Sequence, residues 1–145
     1  MKKIFLLFSV IVFFGCNSDD NSDENLLINN QDLIGKWYLK GGITNGGDFE
    51  NYNHDCSTNR DFQEFFPNGE LTFNGYNADC ELNEVETSLW VLNGSTLTIS
   101  NTNNDPINYN YSFVIESLTN EELIIKEQVN TPNGEEVNQI YLTRN

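Results

Sequence analysis

The residues of this chain best suited to chemistry are His54, Asp55 and Cys56, which stand next to one another. A cysteine nucleophile needs a base within hydrogen-bond reach, and His54 is the single histidine of the sequence. Neighbours in an extended chain point to opposite sides, so adjacency does not bring this imidazole to the thiol. The chain also has no Gly-x-Ser-x-Gly, no phosphate-cradling glycine loop and no His-rich metal spacing. The sequence therefore predicts a protein that is not an enzyme and that uses no metal and no cofactor.

The first fifteen residues have the layout of an export signal. Lys2 and Lys3 give a positive start, residues 4–14 are apolar apart from Ser9, and Gly15 precedes Cys16. The apolar run is shorter than the roughly 20 residues that cross a bilayer, although a short uncut anchor is the alternative. Residues 12–16, Val-Phe-Phe-Gly-Cys, resemble the lipobox of bacterial lipoproteins. This resemblance implies that residues 1–15 are removed and that Cys16 carries a lipid anchor.

The residues after Cys16 are polar and acidic, which predicts a flexible tether over residues 16–28. The early acidic residues resemble the surface-export signal of Bacteroidetes lipoproteins, and this implies an outer-membrane lipoprotein exposed at the cell surface. The formal charge of the chain is −15, which excludes nucleic acid as a partner and leaves the lipid as its link to a membrane. Residues 29–145 are predicted to form one domain.

That domain is predicted to be all-β, after one helical turn over residues 29–34. Asn93-Gly94 and Asn68-Gly69 are typical of tight hairpins, and Gly41-Gly42 predicts a bend or bulge in the first strand. The predicted strands are residues 33–44, 61–66, 70–76, 87–92, 95–100, 108–116, 122–129 and 135–143. An eight-stranded antiparallel up-and-down barrel is favoured, because closure removes exposed sheet edges. A two-sheet β-sandwich is the alternative.

Gly35-Lys36-Trp37, at the start of the first strand, resembles the Gly-x-Trp signature of lipocalins. In that family the Trp closes one end of the barrel and an Arg near the end of the last strand packs over its ring, roles that Trp37 and Arg144 match. The stretch from Leu33 to Arg144 is similar to the lipocalin-like domains of exported Bacteroidetes lipoproteins. The resemblance implies a barrel whose first and last strands pair.

Cys56 and Cys80 are predicted to form a disulfide, because export would place both in an oxidising compartment. The two cysteines also lie symmetrically about the turn at Pro67-Asn68-Gly69, so pairing of the flanking strands would bring them together. A metal site or a catalytic thiol is the alternative use of these residues.

Aromatic residues are the remaining candidates for a functional role. If these aromatic side chains fill the interior of a small barrel, no space remains there for a ligand. If they line a pocket, the alternating pattern of residues 108–116 places two tyrosines on the inner face, where their hydroxyls would orient a ligand. The predicted pocket residues are Tyr109, Tyr111, Phe113, Trp90 and Phe73, and the wider predicted interior adds Phe62, Phe65 and Phe66. We therefore expect a protein that binds a small apolar or amphipathic molecule at the cell envelope. The alternative is a filled barrel that serves as an interaction or structural module of a surface complex.

Overall fold

The computed structural model describes residues 28–101, 110–132 and 134–145. The predicted signal peptide, Cys16, nearly all of the predicted tether and Tyr109 lie outside these residues. Within them, no helical segment combines the length and the apolar character needed to cross a membrane. The elements are helix α1 (Asn30–Leu33) and strands β1 (Gly35–Thr44), β2 (Glu50–Asn51), β3 (Phe62–Phe65), β4 (Glu70–Tyr76), β5 (Leu82–Asn93), β6 (Thr96–Asn101), β7 (Asn110–Leu118), β8 (Glu122–Thr131) and β9 (Gly134–Thr143).

Eight of the described strands form a closed antiparallel barrel. Strands β3 to β9 pair in chain order, and β1 pairs with β3 on one side and with β9 on the other. The closing ladder runs from Tyr38 opposite Thr143 to Thr44 opposite Asn138. The predicted eight-stranded up-and-down barrel is confirmed, and the sandwich alternative is wrong.

Strand β2 is an addition that the sequence did not predict. It pairs with β1 through Gly41 and Gly42, next to the point where the register of β1 slips between Leu39 and Gly41. A Cβ atom on Gly41 would collide with the carbonyl of Glu50, so only glycine lets the two backbones approach this closely. Strand β2 consists of two exposed polar residues. A strand is predicted from an alternation of apolar and polar residues, and two polar residues show none.

Strand β5 is longer than predicted, because it begins at Leu82 rather than at Thr87. Its first residues are all exposed and include Glu84 and Glu86, and acidic residues are uncommon in strands. They nevertheless pair with β4, with Phe73 opposite Glu86. Both predicted Asn-Gly hairpins are present, and each glycine has the positive φ that such turns require.

One end of the barrel is filled by side chains and covered by α1. The side chain of Asn29 accepts a hydrogen bond from the Gln31 N–H at 3.1 Å and caps the helix. Trp37 Nε1 donates to the Leu33 carbonyl at 2.8 Å, which ties the helix to the first strand. The fully buried side chains gather at this closed end: Leu33, Trp37, Phe65, Leu97, Leu123 and Leu142.

Arg144 joins the last strand to the closed end. Its guanidinium carbon lies 4.2 Å from the centroid of the Trp37 ring, a favourable cation–π distance. Its Nη1 donates to the Ile34 carbonyl at 3.1 Å, and its Nη2 donates to the Asp32 carbonyl at 2.6 Å. Gly35 has a φ of +111°, and a Cβ there would lie 3.1 Å from Nη1, so the glycine leaves room for the guanidinium.

The predicted disulfide between Cys56 and Cys80 is present, with the two Cα atoms 4.8 Å apart. The β3–β4 ladder has the register that the symmetric spacing requires, with Phe62 opposite Asn74 and Phe65 opposite Leu71. The bond closes a loop with a sequence separation of 24 residues. Such a loop contributes about 3 kcal/mol to the free energy of unfolding by the chain-entropy estimate.

Arg144→Lys should lower the free energy of unfolding by about 2 kcal/mol, since an ammonium can neither cover the Trp37 ring nor reach both carbonyls. Urea denaturation followed by tryptophan fluorescence measures this change. Arg60→Lys is the matched control, because Arg60 also stacks on a ring, that of Tyr38, but is exposed to solvent. Equal losses in the two variants would show that Arg144 has no special part in closure.

Candidate functional site

The inner face of the barrel encloses a cavity of about 360 Å³ beyond the filled end. It is built by β3 to β7, whose register places inward side chains side by side: Phe73 lies opposite Glu86, and Ile99 lies opposite Tyr111. The lining residues are Gln63, Leu71, Phe73, Glu86, Ser88, Ile99, Tyr111 and Phe113.

The cavity has an apolar floor and a polar mouth. Leu71, Ile99 and Phe113 are buried, which makes the floor apolar. Tyr111 is 49% exposed and Glu86 is also exposed, so the cavity opens to solvent on that side. Ser88 is buried, and its Oγ donates to the Leu71 carbonyl at 3.4 Å. Apolar walls with a few converging polar groups are the usual build of a small-molecule site.

Three of the predicted pocket residues, Phe73, Tyr111 and Phe113, line this cavity. Trp90 does not, because it packs below the cavity, with its ring centroid 5.5 Å from that of Phe65 and its Nε1 donating to the Phe66 carbonyl at 3.1 Å. Tyr109 lies outside the described residues.

Phe62 was expected to face the interior, but it faces outward. Its ring centroid lies 5.8 Å from that of Tyr38, and Lys36 Nζ lies 4.5 Å from its ring centroid. The reason is strand alternation: Gln63 and Phe65 take the inner face of β3, so Phe62 is on the other side.

Sequence reasoning missed several lining residues, notably Gln63, Glu86, Ser88 and Ile99. Polar residues give no hydrophobic signal, and only the register of the neighbouring strands shows that Glu86 and Ser88 lie beside Phe73 and Leu71. Ile99 had a usable signal, since Leu97 and Ile99 alternate with threonine and serine along β6.

A larger groove of about 430 Å³ lies on the outer wall of β7 and β8. Its lining includes Glu116 and Lys126, which form an ion pair at 3.5 Å. Because its residues face away from the barrel and its charges neutralise each other, we take the inner cavity as the candidate site.

His54 holds two strands together instead of serving as a base. Its Nδ1 accepts a hydrogen bond from the Asp61 N–H at 3.0 Å, and its Nε2 lies 3.0 Å from the Leu39 carbonyl. This pair of contacts requires the neutral tautomer with its proton on Nε2. The Leu39 N–H also donates to the Asp61 carbonyl, and the imidazole links β1 to the start of β3 just beyond this hydrogen bond. With Cys56 in the disulfide, no thiolate stands beside this ring.

Tyr52 completes a polar cluster with His54 and Asp61. The ring centroids of Tyr52 and His54 are 4.8 Å apart, and the Tyr52 hydroxyl donates to the Asp61 carboxylate. Burial, that hydrogen bond and the negative charges of Asp61, Asp55 and Glu84 raise the pKa of Tyr52 to about 12. All of these causes favour the neutral phenol, so the hydroxyl remains a donor at any physiological pH.

The raised pKa of Tyr52 predicts a loss of stability in alkali. A group whose folded-state pKa lies above its unfolded value stabilises fully below the unfolded pKa, about 10 for tyrosine. That contribution disappears as the pH rises from about 10 to about 12. Unfolding free energies measured across this range for the wild type and for Tyr52→Phe should converge as the pH rises. A constant difference between the two proteins would contradict the assignment.

Comparison with known proteins agrees with this fold. The family model described as a lipocalin-like domain matches residues 33–125, more than half of the chain. A lipocalin-like protein from Bacteroides uniformis superposes with a TM-score of 0.58 at 18% identity, over 79% of this chain and 99% of that one. An uncharacterized protein from Bacteroides eggerthii superposes with a TM-score of 0.55 at 14% identity, over 78% of this chain and 99% of that one. Lobster apocrustacyanin A1 gives 0.53 at 17% identity, over 81% of this chain and 63% of its own. Among curated proteins, no sequence matches this chain.

The solved structures are too distant in sequence to show more than the fold, whereas the family model matches the sequence itself. Its match begins at Leu33, just before Gly35 and Trp37. The chain belongs to the family of lipocalin-like domains.

Proposed function

We propose that this chain is a non-enzymatic binding protein whose barrel holds one small apolar or amphipathic molecule. The observation that carries the proposal is the cavity of about 360 Å³, lined by Phe73, Tyr111 and Phe113. Its volume lies at the lower end of the range for small-molecule sites, which suits a compact ligand of a few rings or one short alkyl chain. Members of this family typically bind small hydrophobic ligands, which supports the same reading.

The contacts of the reactive side chains favour binding over catalysis. Both ring nitrogens of His54 are engaged with the backbone, and Cys56 is bonded to Cys80. Within the described residues, no group of three or more His, Cys, Asp or Glu side chains is placed to hold a metal ion. The cavity itself offers a carboxylate, an amide and hydroxyls, which are groups that orient a ligand by hydrogen bonding.

Ser88→Met should lower the affinity of the cavity for a hydrophobic probe by about tenfold, because the longer side chain occupies ligand volume. N-Phenylnaphthylamine, whose fluorescence rises in apolar surroundings, serves as the probe. Ser100→Met is the matched control, since Ser100 follows the inward Ile99 and faces outward. Binding that survives in Ser88→Met as well as in the control would place the probe elsewhere and overturn the proposal.

We further propose that the chain is an exported lipoprotein held at the outer membrane by a lipid on Cys16, with its domain at the cell surface. The support is the signal-like start, the small residue before Cys16 and the acidic stretch that follows. The Cys56–Cys80 bond suits an oxidising compartment. Ile28 packs against the core near α1, so the proposed tether would join the domain at its closed end.

Cys16→Ser should move the protein from the membrane fraction to the soluble fraction, or leave its signal uncut, because no sulfur remains to carry lipid. Fractionation and incorporation of labelled palmitate measure the effect. The Cys56→Ser/Cys80→Ser double variant is the control and should stay with the membrane. Normal processing and full membrane retention of Cys16→Ser would exclude a lipid anchor at this residue.

A second candidate function, binding of a protein partner, is favoured by the outer wall around β6. Val91 and Val114 face outward on the two flanking strands and are 64% and 47% exposed. Exposed apolar residues that lie close together on one wall are typical of a contact surface. Here Thr96, Thr98 and Ser100 of β6 separate the two valines and make the patch more polar, so the cavity is the stronger candidate.

A further inference from the structure

We propose that the cavity selects amphipathic molecules with a positively charged head group, and that Glu86 at its mouth makes the selection. This inference rests on the proposed function of the cavity and names the chemistry of its ligand. It concerns which head group enters and not whether the cavity binds at all.

Glu86 is placed to meet the polar end of a ligand that occupies the cavity. It is directly opposite Phe73 in the β4–β5 ladder and shares the inner face of β5 with Ser88. Among the eight lining residues it is the one carboxylate, and none of the eight is a cation. An alkyl or aromatic body packed on Phe113 and Ile99 would bring its head group to the level of Glu86 and the Phe73 ring. A carboxylate beside an aromatic ring attracts an ammonium through both its charge and the ring quadrupole.

The lysines and arginines of the described residues all lie away from the cavity. Lys40 pairs with Glu122 at 2.8 Å, and Lys126 pairs with Glu116 on the outer wall. Lys36 and Arg60 cover outward-facing rings, and Arg144 covers Trp37 at the closed end. None of these five described side chains is therefore available to neutralise Glu86 or to receive an anionic head group in the cavity.

The surroundings of the mouth reinforce this negative potential. Glu84 lies two residues before Glu86 on β5 and therefore shares its inward face. It is opposite Gly75 in the β4–β5 ladder. Glu127 lies opposite the inward Phe113 and so takes the inner face of β8. Burial and Asp61 raise the pKa of Tyr52 most, and the negative charges of Asp55 and Glu84 add to the shift. A carboxylate head group would meet repulsion here, while an ammonium would be attracted.

A ligand with a neutral head group can also bind, because the side chains of Gln63 and Tyr111 can hydrogen-bond an alcohol. Glu86 is exposed, so its attraction for an ammonium is that of a partly screened ion pair. We therefore expect the ammonium to bind about fivefold more tightly than an alcohol of the same shape, the upper end for exposed ion pairs. Salt should reduce this ratio.

The experiment compares octylammonium, octanol and octanoate, which share one alkyl chain, as competitors of N-phenylnaphthylamine on the whole mature domain. The expected order of affinity is octylammonium, then octanol, then octanoate. In Glu86→Gln the advantage of octylammonium over octanol should fall to about twofold or less, and this ratio, measured within one variant, is the readout. Glu121→Gln is the control and should keep the full advantage, because it removes one acidic charge at the closed end, where the Glu121 carbonyl accepts from the Arg144 backbone N–H.

The outcomes separate this inference from the proposed function. Equal binding of all three competitors, or an ammonium preference that survives Glu86→Gln, would overturn the inference and leave the cavity as a binding site. Failure of the probe and of all three competitors to bind would overturn both. Equal loss in Glu86→Gln and Glu121→Gln would assign the preference to the net charge of the protein and would also overturn the role of Glu86.

Discussion

The pairing of the first strand with the last is the constraint on which the rest of the structure depends. A meander of eight strands has two edges until β1 and β9 share hydrogen bonds, and only then does it have an inside. Arg144 supports this closure from one position, since it covers Trp37 of β1 and donates to two carbonyls around α1. The cavity exists because these two strands meet.

Closure at one end leaves the other end of the barrel open to solvent. The fully buried residues and α1 fill the Trp37 end, so the packing that stabilises the barrel is concentrated there. The far end keeps a bulge in β1, the added strand β2 and the His54 bridge, which are irregular features held by polar contacts. Residues such as Ser88 and Glu86 can then line the cavity without weakening the core.

The sequence predicted those features that have local or symmetric signals. Asn-Gly turns mark hairpins, Gly-x-Trp and a terminal arginine mark the closing strands, and equal spacing about a turn marks the disulfide. It failed where the decisive information is the register between strands. The pattern predicts Trp90 in the pocket, but an inner face has a deep end and a mouth that alternation does not distinguish. The prediction that Phe62 faces the interior is wrong for a different reason, since the alternation of β3 turns Phe62 outward against Tyr38. Tyr109 and Cys16, which lie outside the described residues, stay predictions.

The chain has few lysines and arginines, and their positions determine where its negative charge is not neutralised. The chain has seven lysines and arginines against twenty-two acidic residues, and the five that follow Cys16 each contact a ring or a carboxylate. Three of them cover aromatic rings, so in these positions the cation shields apolar surface instead of neutralising an acid. The inner wall receives none of the five. The register of β5 and β8 points Glu84, Glu86 and Glu127 inward, so the same strand pairing that forms the barrel also makes its inner wall acidic near the mouth.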